Sequence, residues 1–161
     1  QPNQFLNDRP RATFAEFAGR QRNVILINGP FERPVLGTND YDFLLMNLDY
    51  HDVYWESAER KISRMDPDTW LRELYKAVKP GGIVAIMDHS ATPGGDTRAV
   101  VEKLHRIDPA VVRADFERAG FVLEGESDLL KNPADDRSSN VFEEKIRGKT
   151  DRFVFKFRKP R

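Results

Sequence analysis

The chain has 161 residues, a length that suits one domain with a real hydrophobic core. Lys+Arg and Asp+Glu both number 26, so the net charge is zero, which argues against a dedicated nucleic-acid binder with its basic stripe. No apolar run approaches the roughly 20 residues of a membrane helix, and the absence of cysteine excludes disulfides and thiol chemistry while leaving the compartment open.

In chain order, Asn7 or Asp8 can cap a first helix running to about residue 18 with Phe14, Phe17 and Ala18 on its inner side; Gly19 is expected to end it. Val24-Ile25-Leu26-Ile27 reads as a buried strand closed by Asn28-Gly29-Pro30, and a loop then leads to the strand Tyr41-Asp42-Phe43-Leu44-Leu45-Met46-Asn47. Asp66 and Pro67 are start signals for a helix whose buried face is Trp70, Leu71, Leu74, Tyr75 and Val78. Pro80-Gly81-Gly82 ends that helix. The run Ile83-Val84-Ala85-Ile86-Met87-Asp88 does not alternate, as expected of a parallel strand covered on both faces. Residues 97–105 form a helix on Val100, Val101 and Leu104, and 108–119 another, with Pro109 at its first position and Gly120 just past its end. Phe121-Val122-Leu123 opens a strand, and Phe153-Val154-Phe155-Lys156-Phe157 is the last, with three phenylalanines on one side. Between these strands, residues 128–151 form a long polar loop, read as a substrate lid, a plain insertion or a partner contact. The basic tail Lys156–Arg161 reads as a solvated chain end.

Strands alternating with helices imply an α/β domain over residues 1–161, a Rossmann-like doubly wound, mostly parallel sheet with right-handed crossovers. The helix, Leu74 to Gly82 turn and following strand, the Tyr41-Asp42 opening of the preceding strand, and Ala119-Gly120-Phe121 together resemble class I S-adenosylmethionine-dependent methyltransferases. Tyr50-His51-Asp52 is further similar to a group of predicted bacterial methyltransferases. The resemblance implies an antiparallel last strand and a strand–GxGxG–helix segment at the start. None of the ten glycines sits in such a segment. Gln1-Pro2-Asn3 resembles the residues after strand two, so the chain is expected to begin in mid-fold, lacking a strand–helix–strand unit of about 30 residues.

In a doubly wound sheet ligands bind beyond the carboxyl ends of the strands. That rule selects Asn28–Phe31, Asn47–Asp52 and Asp88–Ser90. The resemblance implies S-adenosylmethionine as cofactor, with Gln1 and Asn3 at the ribose position, Pro30 and Phe31 beside the adenine, and Asn47, Leu48 and Tyr50 along the methionine moiety. Phe31 is equally readable as core packing and Asn47 as a strand-end turn cap. His51 is the candidate catalytic base, since its ordinary pKa is near neutrality, with Asp49 or Asp52 orienting its ring; a purely structural histidine is the alternative. Asp88, His89, Asp136 and Arg137 are candidate substrate contacts. His105, between Lys103 and Arg106 on a helix, reads as surface. Asp49, His51, Asp52, Asp88 and His89 also invite a metal reading, since imidazole plus carboxylate suits several divalent ions; with no i,i+4 histidine pair or cysteine cluster a metal site is not expected, and no Gly-x-Ser-x-Gly elbow supports a hydrolase.

The expected function is therefore methyl transfer from S-adenosylmethionine to a small-molecule acceptor, without nucleic-acid or membrane partners and in the cytoplasm, export remaining open. The competing expectation is a non-catalytic half-domain that self-associates. Without the missing unit, the apolar Tyr41–Asn47 strand would have an exposed edge, which invites a homodimer or an exchanged element.

Overall fold

The computed structural model describes residues 12–13, 15–16, 19–21, 23–25 and 29–161, in two compact units, Gln1–Val35 and Leu36–Arg161. In the first unit Ala12, Thr13, Ala15, Glu16, Gly19 and Arg20 are helical, so Gly19 is itself helical rather than the residue that stops a helix. Asn7, Asp8, Phe14, Phe17, Ala18 and Leu26–Asn28 lie outside the described residues. Of the strand expected at 24–27, Val24 and Ile25 are described. Neither is in a strand, and Ile25 is exposed.

The second unit is built from β1 (Tyr41–Asn47), a 3₁₀ turn (Tyr50–Tyr54), α1 (Pro67–Ala77), β2 (Val78–His89), α2 (Thr97–Leu104), α3 (Pro109–Arg118), β3 (Val122–Ser127) and β4 (Arg152–Arg158). Its sheet has the order β1-β2-β4-β3. β1 and β2 are parallel, and β4 runs antiparallel to both of its neighbours, β2 and β3. Three strands thus point one way and the last is reversed between two of them, the arrangement expected.

Each helix of this unit starts on an aspartate whose carboxylate accepts a backbone N–H. Asp66 caps α1 through Thr69 (3.2 Å), Asp96 caps α2 through Ala99 (2.8 Å), and Asp108 caps α3 through Ala110 (2.8 Å). α1 ends at Ala77, and β2 begins at once with Val78 pairing Tyr41. Residues 79–82 then make an irregularity before Ile83 pairs Phe43. Gly82 is required there, because a Cβ would stand 2.8 Å from Val78 Cγ1 and 3.1 Å from the Tyr41 carbonyl oxygen.

α1 and α3 cover the sheet. Phe116 of α3 stacks on Phe157 of β4 with ring centroids 4.6 Å apart, and Trp70, Leu71 and Leu74 of α1 are buried with Val84 and Ile86 of β2. Each such side chain contributes roughly 1.5–3 kcal/mol of hydrophobic stabilisation. The C-terminal tail departs from expectation: β4 continues to Arg158, and Lys159 is buried rather than solvated. Its ammonium donates to the carbonyls of Tyr75 and Val78 (2.8 Å each), satisfying acceptors left free by the end of α1.

The 128–151 loop is likewise fastened down. Arg106, fully buried, donates to both carboxylate oxygens of Asp135 (2.8 and 3.1 Å) and to the Ser90 and Ser139 carbonyls. Asp135 also accepts the Asp151 N–H.

Candidate functional site at the strand tips

β1 and β2 run side by side and end together, and the turn after β1 folds back over the tip of β2. Leu48 N–H donates to the Met87 carbonyl (2.9 Å), and Leu48 itself takes a left-handed conformation (φ 60°) that reverses the chain into the 3₁₀ turn. This brings His51 onto Asp88. The Asp88 carboxylate is fully buried and accepts three N–H donors: the His51 backbone (2.9 Å), the His51 ring Nδ1 (2.8 Å) and the His89 backbone (2.7 Å). With Nδ1 committed to Asp88, His51 Nε2 points towards Asp52, 3.5 Å from its Oδ1.

A second segment completes the cluster. α2 stops at Leu104, and His105 caps it in the left-handed conformation (φ 52°), after which Ile107 pairs with the chain leaving β2. Ile107 N–H donates to the His89 carbonyl, and Ala91 N–H to that of Ile107, both at 2.9 Å. Those bonds carry His105 to the strand tips, where its ring lies 5.5 Å from that of His51 and 5.0 Å from both Trp55 and Phe142. The His89 ring, 6.0 Å from His51, shares a hydrogen between Nδ1 and the Thr150 hydroxyl (2.7 Å). All three histidines of the chain therefore meet at one place.

Their charges diverge. Burial works against a charged His51, but the Asp88 carboxylate and its hydrogen bond, helped by Asp52 and Asp49, outweigh it and lift the imidazole to about 9. His89 and His105 are pushed down to about 4, by burial first and by the neighbouring cation second in the case of His105. Asp88 stays below the ordinary carboxylate range because His51 and the three donors overcome its burial. Asp49 rises to about 6 through burial and then repulsion from Asp88, and its Oδ1 is buried without a hydrogen-bond partner. The tip thus holds Asp49, Asp52 and Asp88 around a single imidazolium.

The expected site residues divide accordingly. His51, Asp52, Asp88 and His89 are brought together, and Asn47 lies exposed at the end of β1 with Leu48 beside it. Four expectations need correction. The residue that orients the His51 ring is Asp88, not Asp49, with Asp52 a more distant neighbour on the other nitrogen. Asp88 is itself sealed from solvent and so is not presented to a substrate. Tyr50 turns into the core: it is fully buried against Trp70 and Phe116, and its hydroxyl donates to Asp115 (2.8 Å). His105 is not a surface residue, for the physical reason that the helix ends one residue before it and the chain turns back.

Asp136 and Arg137 belong to another part of the surface. The Asp136 carboxylate accepts from the backbone and hydroxyl of Ser138, closing its own turn. Arg137 pairs with Asp151 (2.8 Å) at the rim of a cavity of about 450 Å³ between α3 and β4, and none of the three histidines lines that cavity. Pro30 is exposed and Phe31 half-buried in a turn closed by Arg33 N–H on the Pro30 carbonyl (3.3 Å), both in the first unit. Gln1 and Asn3 lie outside the described residues. Two site residues were missed from sequence. Asp49 is not among the catalytic or binding residues expected from sequence, and His105 could have been found as a histidine in the short linker leading back from the helix after β2.

No protein-family model matches the sequence, and neither does any curated protein. Solved structures do match. The [4+2]-cyclase SpnF superposes with a TM-score of 0.59 at 17% identity, over 92% of this chain and 60% of that one. An S-adenosylmethionine-dependent methyltransferase from Aquifex aeolicus gives 0.56 at 17% identity, over 90% and 61%. The 1,6-didemethyltoxoflavin-N1-methyltransferase of Burkholderia thailandensis, solved with 1,6-didemethyltoxoflavin and S-adenosylhomocysteine, gives 0.58 at 14% identity, over 92% and 56%. The chain spans between 56% and 61% of the length of these three proteins. Its fold is that of the class I S-adenosylmethionine-dependent methyltransferases.

Proposed function

We propose that the strand tips of this protein bind S-adenosylmethionine and that the protein transfers its methyl group to a small-molecule acceptor. The observation that carries the reading is the charge of the cluster: three carboxylates stand around one imidazolium, and Asp49 keeps a buried oxygen without a donor. A ligand with an ammonium and a sulfonium centre supplies the missing positive charge, and an N–H donor from it would satisfy Asp49. When bound, the sulfonium offers an activated methyl group. The protein's own part is positional. Asn47 presents an amide at the end of β1, Asp49 holds a cationic group, and the His51–Asp88 pair fixes the turn that carries both.

Titration calorimetry with S-adenosylmethionine and S-adenosylhomocysteine tests this. The expected result is micromolar binding of both and a loss of about tenfold in the Asp49→Asn variant, the ~1.4 kcal/mol of one charged contact. Silence from both ligands, with the protein folded, defeats the proposal.

A second reading is favoured by one observation. β1 pairs with β2 alone among the described residues, and Phe43 and Leu45 on it are 56% and 53% exposed. Such a strand suits a self-associating module, a homodimer or an exchanged element, whether or not it also catalyses.

A further inference from the structure

We infer that His51, Asp52 and His105 form a binding site for one divalent transition-metal cation, zinc being the reference ion. Asp52 lies between the two rings, its Oδ1 3.5 Å from His51 Nε2 and 3.9 Å from His105 Nδ1, and the three donor atoms all fall within 4.8 Å of one another. Ligands at about 2.1 Å around a tetrahedral ion are separated by roughly 3.4 Å, so the set needs to contract by only a few tenths of an ångström to over an ångström at its widest. Imidazole, imidazole and carboxylate are the donors that zinc and its neighbours in the first transition row accept, whereas magnesium and calcium ask for oxygen alone.

Support behind the donors is already built. His51 gives its other ring nitrogen to the buried Asp88 carboxylate (2.8 Å), the carboxylate–histidine pairing that fixes the ring and turns Nε2 to the site, where an incoming ion displaces its proton to solvent. His105 is held in a left-handed backbone conformation that costs a non-glycine residue energy, and its ring makes edge contacts with Trp55 and Phe142, each with centroids 5.0 Å away. His89 is not part of the set: the donor atoms that converge are those of His51, Asp52 and His105. Three protein ligands leave at least one coordination position for water or for an oxygen of another ligand. The site does not depend on methyl transfer: it would bind its ion in the absence of S-adenosylmethionine.

Calorimetric titration of the chelator-treated full chain with Zn²⁺ is the test, run beside Co²⁺ and Mg²⁺. One Zn²⁺ per chain at micromolar affinity or tighter is expected, with visible bands of nitrogen-ligated Co²⁺ and no response to Mg²⁺. His105→Gln and Asp52→Asn should each weaken Zn²⁺ at least tenfold, and Asp88→Asn by 10- to 100-fold through the orientation of His51, as outer-shell partners do. Thermal melts of each variant distinguish lost affinity from lost folding. X-ray absorption of the zinc-loaded wild type needs no variant and should count two imidazoles. No Zn²⁺ binding, undiminished binding in folded His105→Gln, a magnesium-only response, or fewer than two imidazoles on zinc would each overturn the assignment.

Discussion

Asp88 can stay ionised in the interior only because three N–H groups and an imidazolium surround it, and His51 can stay protonated only because Asp88 is there. The coupling has a clear pH signature in the metal-free protein. His51 is raised from 6.5 to about 9, so its contribution to stability is complete below about pH 6.5 and disappears as the pH climbs through 9. A shift of that size corresponds to roughly 3 kcal/mol. His89 and His105 act in the opposite direction. Both are lowered to about 4, so the folded chain binds fewer protons than the unfolded one from about 6.5 down to 4, and stability falls as acid is added across that window. Asp49, raised to about 6, offsets part of that loss, since folded protein takes up its proton earlier than unfolded protein does. With three histidines in the chain, a nitrogen-detected NMR titration reads the cluster directly. One ring should remain protonated past pH 8 while two stay neutral below pH 6, and Asp88→Asn should bring the first ring down. Three rings titrating together near 6.5 would contradict the arrangement. The charge on His51 also revises its expected part: at neutral pH it already carries the proton that a general base must accept.

At the scale of elements, the 128–151 loop depends on one buried arginine. Arg106 fills four hydrogen bonds, two of them to Asp135, and both side chains are sealed from water. Arg106→Met leaves the Asp135 carboxylate buried beside backbone donors alone, and breaking a buried pair from one side costs about 3–5 kcal/mol. Denaturant unfolding should register that loss, and limited proteolysis should begin to cut within 128–151. The double change Arg106→Met with Asp135→Asn, which removes the unpaired charge but keeps an oxygen for the Asp151 N–H, should recover part of it; a single variant that loses less than about 1 kcal/mol would show the pair is not an anchor. This pair also marks where local reading stops. Asp66, Pro67 and the Trp70–Leu74 face announce α1 within a dozen residues, and Pro109 and Gly120 bracket α3, because caps and periodicity are short-range physics. The strand-tip turn was legible for the same reason: polar residues follow an apolar strand. Lys159 reads as a solvated tail and Arg106 gives no local signal at all, because what decides them is remote. Asp135 lies 29 residues beyond Arg106, and the carbonyls that hold Lys159 lie more than 80 residues before it. A basic side chain far from its partner in sequence looks like surface until the chain has folded. The same limit applies to Tyr50, whose hydroxyl finds Asp115 on α3 rather than a ligand.

For the molecule as a whole, the decisive quantity is the state of β1. Phe43 and Leu45 alternate along it onto one face, as side chains two apart must, and both are more than half exposed. On its other side the strand pairs with β2 through six residues from Tyr41 to Asn47, with a shift after the first. No proline interrupts it, and among Tyr41–Asn47 a single charge, Asp42, guards it. Strands exposed in this manner are normally blunted by charge, proline or a covering segment, since an unpaired ladder beside apolar side chains is a template for another chain. Association through β1 would bury those side chains and supply ladder partners together, so it should depend on both. Sedimentation and light-scattering chromatography of the wild type are therefore expected to show a concentration-dependent dimer in the micromolar range. Leu45→Lys, which places a charge on the exposed face without touching the β2 ladder, should shift the equilibrium to monomer while the far-ultraviolet spectrum stays unchanged. Asp42→Ala should strengthen association by removing the guard. A wild type that remains monomeric at every concentration, or a dimer indifferent to Leu45→Lys, would remove β1 as the contact and leave the proposed S-adenosylmethionine binding at the C-terminal strand tips to be judged alone.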